Sequence, residues 1–284
     1  MNIDRPEIFK YSDYRTFLKD WLVFKKASQS KFSLRGLSRQ ARLASGYLPM
    51  VTAGKRELSQ AALSKLIPFL GLNPAEQSFF ENLLVLGISD SHEARVIAIE
   101  RMQDYKKYQT HNQKDNEVYT YLSHWYYVAI REMADLAGFQ LEAEWIQSKL
   151  NYSVPLKEIK DAIEFLKINE YLKINEKGEV IPPEKSLICS GPIYRMALAK
   201  FHREIFDLAI LSIDKVNSSD RNIQGHTMAV SSEGFLKAQD ILNEAIEKIR
   251  EIGRAEQNGD RVYHLEVALF PFTRQSDDKK QEQK

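Results

Sequence analysis

Apolar residues along this chain recur mostly at three- and four-residue spacing, a period that predicts a mainly helical protein. Tyr14, Phe17, Leu18, Trp21 and Leu22 form one stripe on a helix that Ser12 caps and that runs to about Lys26; residues 1–10 before it read as a loose arm. Leu34, Leu37 and Ala41 fall at i, i+3 and i+7 behind Ser33, a short helix with a serine cap. Leu48 and Val51 mark the inward side of a second, from about Ser45 to Ala53, which Gly54 stops. Ser59 caps a third that buries Leu63, Leu66, Ile67 and Leu70, with Pro68 a kink or an early stop. Asn73-Pro74-Ala75-Glu76 opens a fourth with a cap, a first-turn proline and an acid; Phe79, Phe80, Leu83 and Leu84 are its buried side.

One more helix, from about Ser91 to Gln109, leads to the polar run from Thr110 to Asn116, which reads as the main linker. Glu117 to Leu136 reads as one long helix, apolar nearly all round because Tyr119, Tyr126 and Tyr127 widen the stripe of Tyr121, Leu122, Trp125, Ala129, Met133 and Leu136. Such a helix needs cover from other elements or from a second subunit. A short helix near Glu142 to Leu150 precedes one that starts at Ser153-Val154-Pro155-Leu156. The segments Tyr171 to Ile174 and Glu179 to Ile181 then flank a turn at Asn175-Glu176-Lys177-Gly178. Helices followed by a small hairpin make a winged-helix-like region. A helix from Pro192 to Val216 follows. The strand His226 to Ser231, a helix from Glu233 to about Ile252 capped by Ser232, and the strand Val262 to Phe270 form a β-α-β unit. Two strands do not make a stable sheet alone, so these are expected to pair with others, a symmetry mate's included. The expected divisions are 1–90, 91–116 (helix and linker), 117–190, 191–274 (α+β, for dimerisation or sensing) and a disordered polar tail, 275–284.

The stretch Phe32 to Leu58 is the most specific. Leu37, Ala41, Leu43, Leu48, Val51, Gly54, Lys55 and Arg56 stand at the spacing of a helix-turn-helix, and the stretch from about 31 to 72 resembles the Xre/Cro-like, λ-repressor-type domains. The resemblance implies an N-terminal helical bundle whose second short helix enters the DNA major groove while flanking cations hold phosphates. This chain departs from the pattern. Arg42 stands where the turn usually carries glycine, and Pro49 fits the second helix only if Gly46 caps it, leaving that helix short. Its outward residues Ser45, Gly46, Pro49, Met50 and Ala53 include none of the side chains that read base edges bidentately. From about Tyr121 to Thr273 the chain also resembles an uncharacterised family of proposed bacterial transcriptional regulators, which join an Xre-like domain to a C-terminal domain of unknown function. The residues that carry this are Ser123-His124-Trp125-Tyr126-Tyr127, Ile130-Arg131-Glu132, Glu144-Trp145-Ile146, Phe201-His202-Arg203, Arg261-Val262-Tyr263 and Phe270-Pro271. The resemblance implies no catalytic residues.

Charge sharpens this picture. The 284 residues carry a net charge of only +1, but residues 1–60 hold 12 Lys/Arg against 5 Asp/Glu, so the remainder sums to −6. A basic end on a near-neutral chain suits phosphate contact. The single cysteine, Cys189, excludes an internal disulfide and fits a reducing, cytoplasmic compartment; no apolar run is long enough for a membrane span. No phosphate-binding loop, dinucleotide turn, metalloprotease motif or nucleophile elbow occurs, and the six histidines are scattered. Neither catalysis, a cofactor nor a metal site is expected. Lys157, Lys160 and Lys167 on the would-be second reading helix are interleaved with Glu158, Asp161 and Glu164, which argues for a structural role there.

Two functions remain open. The first is a dimeric DNA-binding transcriptional regulator with weak sequence readout: Lys31, Arg35, Arg39, Arg42, Lys55 and Arg56 contact phosphates, and Ser45, Tyr47 and Met50 lie near the groove. The second is a protein-interaction module on a degenerate helix-turn-helix, binding a partner through Gly46, Pro49, Met50 and Ala53.

Overall fold

The computed structural model describes residues 3–175, 180–181, 191–256 and 259–274. It is mainly helical, and among the described residues the sheet is a single two-stranded hairpin. The chain divides into two units, residues 1–124 with 186–201, and residues 125–185 with 202–284.

In the first unit the N-terminus is anchored rather than loose: Ile8 and Phe9 are buried, and Phe9 packs its ring 4.9 Å from that of Phe79. Helix α1 (Tyr14–Ser28) is capped by Asp13, whose carboxylate accepts the Thr16 N–H at 2.8 Å, one residue later than Ser12. Its stripe is buried as the pattern requires, and the Trp21 indole N–H donates to the Leu70 carbonyl at 3.0 Å. Helices α2 (Leu34–Gln40), α3 (Tyr47–Thr52), α4 (Gln60–Leu70) and α5 (Pro74–Ile88) follow. Pro68 neither stops nor shortens α4, which runs on to Leu70 and ends on Gly71 at φ 65°. The capping box of α5 forms through Asn73 and Glu76.

The predicted helix from Ser91 to Gln109 is two helices, α6 (His92–Gln103) and α7 (Lys106–His111). The break lets Tyr105 and Tyr108 both turn onto the Phe79 ring, at 5.5 and 5.3 Å. The polar run from Thr110 to Asn116 is a helix junction rather than a linker, passing straight from α7 into α8 (Gln113–Tyr121). Asn112 makes the joint by donating to the carbonyls of Phe9 at 2.9 Å and Tyr108 at 3.1 Å. The first half of α12 (Pro192–Lys215) adds Ile193, Met196 and Ala197 to this core.

The long helix expected from Glu117 to Leu136 is also broken. The Ser123 hydroxyl bonds back to the Tyr119 carbonyl at 2.6 Å, a competitor to the helical ladder, and α9 starts afresh (Trp125–Met133). In the second unit α9 packs with α10 (Ala143–Lys149) and α11 (Leu156–Ile168), followed by the hairpin of β1 (Lys173–Ile174) and β2 (Val180–Ile181), in register Lys173 to Ile181 and Ile174 to Val180. Residues 176–179 of the predicted turn, Cys189 and the tail 275–284 lie outside the described residues. The aromatic surface of α9 is covered within the unit: Trp125 meets Tyr152 and Tyr127 meets Phe165, at 5.8 and 5.3 Å. That surface therefore gives no reason for a second subunit.

The β-α-β unit is not formed. Helix α13 (Ser232–Ala255) is capped by Ser231, but the segments before and after it lie in no β-ladder among the described residues. Two strands alone carry too little packing to hold together, and among the described residues no other strand pairs with them. The flanking segments are held instead through Arg261 to Asp220, His202 to Glu266 and the Ala137 N–H to the Gly259 carbonyl, each at 2.9 Å.

Candidate nucleic-acid interface

The region from Lys31 to Arg56 is built by three local devices. The Ser33 hydroxyl accepts the Gly36 N–H at 3.0 Å and starts α2, which buries Leu37 and Ser38 and leaves Arg35 and Arg39 exposed. The turn then closes with the Leu43 N–H on the Ser38 carbonyl at 2.7 Å, which requires Arg42 at φ 52°. That is the left-handed region, where a side chain costs roughly 1 kcal/mol that glycine avoids. Arginine stands at this glycine-type position nonetheless, and its side chain is exposed.

Gly46 leads into α3, as Pro49 demands: the proline falls in the first turn, where its missing N–H leaves nothing unsatisfied. The helix ends in a Schellman motif. Gly54, at φ 74°, donates to the Val51 carbonyl at 3.0 Å, and Lys55 donates to the Met50 carbonyl at 2.9 Å. This turn projects Lys55 and Arg56 from the end of the helix, both exposed.

Tyr47 does not stand where a groove-facing residue would. It is 7% exposed, donates its hydroxyl proton to the Glu57 carbonyl at 3.0 Å and accepts the Ser59 N–H at 2.9 Å. Tyr47, Leu48 and Val51 are an apolar triad at helical spacing, the signal that places the tyrosine inside. The Arg56 guanidinium lies 4.9 Å from the centre of its ring, so the tyrosine supports a cation rather than reading a base. Ser45, Gly46, Pro49, Met50 and Ala53 are exposed, Met50 at 38%.

Only some cations of this unit meet acids: Arg5 pairs with Glu76 at 2.9 Å, and Lys10 and Lys107 both reach Glu7. Glu57, the acid beside Arg56 in sequence, is taken by Arg15 and by the Tyr14 hydroxyl, which donates to it at 2.7 Å. Burial and that carboxylate together push the Tyr14 phenol well above its ordinary range. By contrast, Lys31, Arg35, Arg39, Arg42, Lys55 and Arg56 make no ion pair among the described residues. The arrangement offers positive charge and donors around a six-residue helix of about 9 Å, with no bidentate base-reading side chain at its centre.

Helix α11 of the second unit presents no comparable face. On α11, Lys160 lies 3.5 Å from Glu144, and Glu158 accepts the Tyr126 hydroxyl at 3.0 Å, so cations and acids alternate over the surface. Among the described residues no helix is long and apolar enough to cross a membrane. No curated protein and no solved structure matches the chain. Residues 105–272, more than half of the sequence, match a family described as a domain of unknown function, DUF4423, and the chain belongs to that family.

Proposed function

We propose that the protein is a DNA-binding transcriptional regulator, dimeric and cytoplasmic, that grips duplex DNA through the cations around α2 and α3 and discriminates weakly among sequences. One observation carries the reading: six exposed cations lie before and along α2, in its following turn and at the exit from α3 with no acid paired to them among the described residues, while Glu57, next to Arg56 in sequence, is taken by Arg15. Unpaired surface cations repel one another, and a polyanion relieves that repulsion while releasing its counterions. The resemblance of residues 31–72 to Xre/Cro-like domains points the same way.

Titrating a mixed-sequence duplex at rising salt tests it. Six phosphate contacts give a slope of log K against log salt of about −5. An absence of binding at low salt overturns the reading. The exposed Pro49, Met50 and Ala53 favour one rival, a protein-binding face. Met50→Asp tests that rival: it abolishes capture of a protein partner if the rival holds, and a partner that stays bound discards it.

A further inference from the structure

Helix α13 exposes a long apolar face. Phe235, Ala238, Leu242, Ala245, Ile249 and Ile252 recur at spacings of three and four, the a and d positions of a heptad seam. Yet no residue of α13 is buried, and Phe235, Ile249 and Ile252 are 38%, 49% and 66% exposed. The neighbouring segments also expose alternate apolar residues: Met228 and Val230 before the helix, Tyr263, Leu265, Val267 and Leu269 after it. Neither segment belongs to a ladder among the described residues. At roughly 85 Å² apiece, the ten of these side chains larger than alanine leave on the order of 850 Å² per copy, close to the ~800 Å² that each partner buries in a standard interface.

We propose that α13 docks against α13 of a second copy of this chain, antiparallel, about a two-fold axis between residues 243 and 244. The inference builds on the dimeric regulator proposed above, but its test does not use DNA. Three features select this occupant and this direction. First, the seam is a palindrome of sizes. Antiparallel pairing sets Phe235 on the partner's Ile252, Ala238 on the partner's Ile249 and Leu242 on the partner's Ala245. Both inner layers then match one small with one large side chain, whereas parallel pairing stacks alanine on alanine and leaves voids. Second, the helix dipoles favour the reversed pair. Third, reversal brings the segment before α13 next to the partner's segment after it, giving each extended backbone a strand to pair with.

Native mass spectrometry and sedimentation of the full chain at micromolar concentration test the proposal. The expected mass is twice the 32.9 kDa of one chain, falling to one chain for Leu242→Asp. Should that variant misfold, paired cysteines decide. In a Cys189→Ser background, Ala238→Cys with Ile249→Cys links two chains on mild oxidation, and Ala238→Cys alone does not. A monomeric native chain, a dimer that survives Leu242→Asp in folded form, or linkage by Ala238→Cys alone overturns the proposal. A monomer that still binds duplex DNA overturns this inference and the dimeric part of the functional reading but leaves its DNA contact standing; a dimer that binds none overturns only the DNA contact.

Discussion

Arg42 is the residue that best separates stability from function. A left-handed backbone at φ 52° is maintained although glycine would adopt it without strain. Arg42→Gly relieves the steric cost but gives back some unfolded-chain entropy, for a net gain of about 0.5–1 kcal/mol in denaturant unfolding. The same change removes one phosphate contact and lowers the salt slope of duplex binding by about 1. A variant both less stable and equally tight in binding would contradict both expectations. Asp115 gives a pH-dependent counterpart in the first unit. Burial pushes its carboxyl above the ordinary range, so the folded state binds that proton more tightly than the unfolded one. Its contribution is therefore most favourable below the usual carboxyl range of ~4 and is lost as pH rises through the raised value. Asp115→Asn should raise the melting temperature at pH 7 and lose that advantage in acid; thermal scans at both pH values check this.

At the scale of elements, the short helices and their caps were legible because each rests on local chemistry. Ser33, Ser59 and Asn73 cap where a hydroxyl or amide followed by an apolar period says they should, and Gly54 ends α3 as its freedom at positive φ predicts. Pro49 fits its helix only with Gly46 as the cap, and α3 starts there. Helices α12 and α13 kept nearly their predicted spans, but the helices read over Ser91 to Gln109 and Glu117 to Leu136 are each broken in two, the first by a tertiary demand. Tyr105 and Tyr108 converge on Phe79 from far along the chain, and no periodicity around them announces that. The strands around α13 failed for a different reason: alternation marks a face to be buried but cannot say which chain supplies the other strands. At the site, exposure of Arg35 and Arg39 followed from their positions on α2. The burial of Tyr47 was readable from its triad with Leu48 and Val51, but an aromatic at the edge of a reading helix invites the opposite assignment. Tyr47→Phe leaves the Glu57 carbonyl and the Ser59 N–H without their shared partner and should cost about 1–3 kcal/mol in denaturant unfolding, with duplex affinity kept at temperatures where the variant is folded.

Across the whole molecule, charge is allotted by position: +7 within residues 1–60 and −6 over the remainder. The basic portion includes the α2–α3 face, whose cations lack partners, while α11 in the other unit balances its lysines with acids. That division suits a chain in which one unit holds a polyanion and the other serves assembly. The most direct measurement is the affinity of the full chain for a mixed-sequence duplex at low salt, compared with a variant carrying Arg35→Glu, Arg39→Glu and Lys55→Glu. Our account predicts a loss of at least about 100-fold, on the order of 1 kcal/mol per reversed charge, with helical content unchanged by circular dichroism. Equal affinity in the folded variant would contradict it.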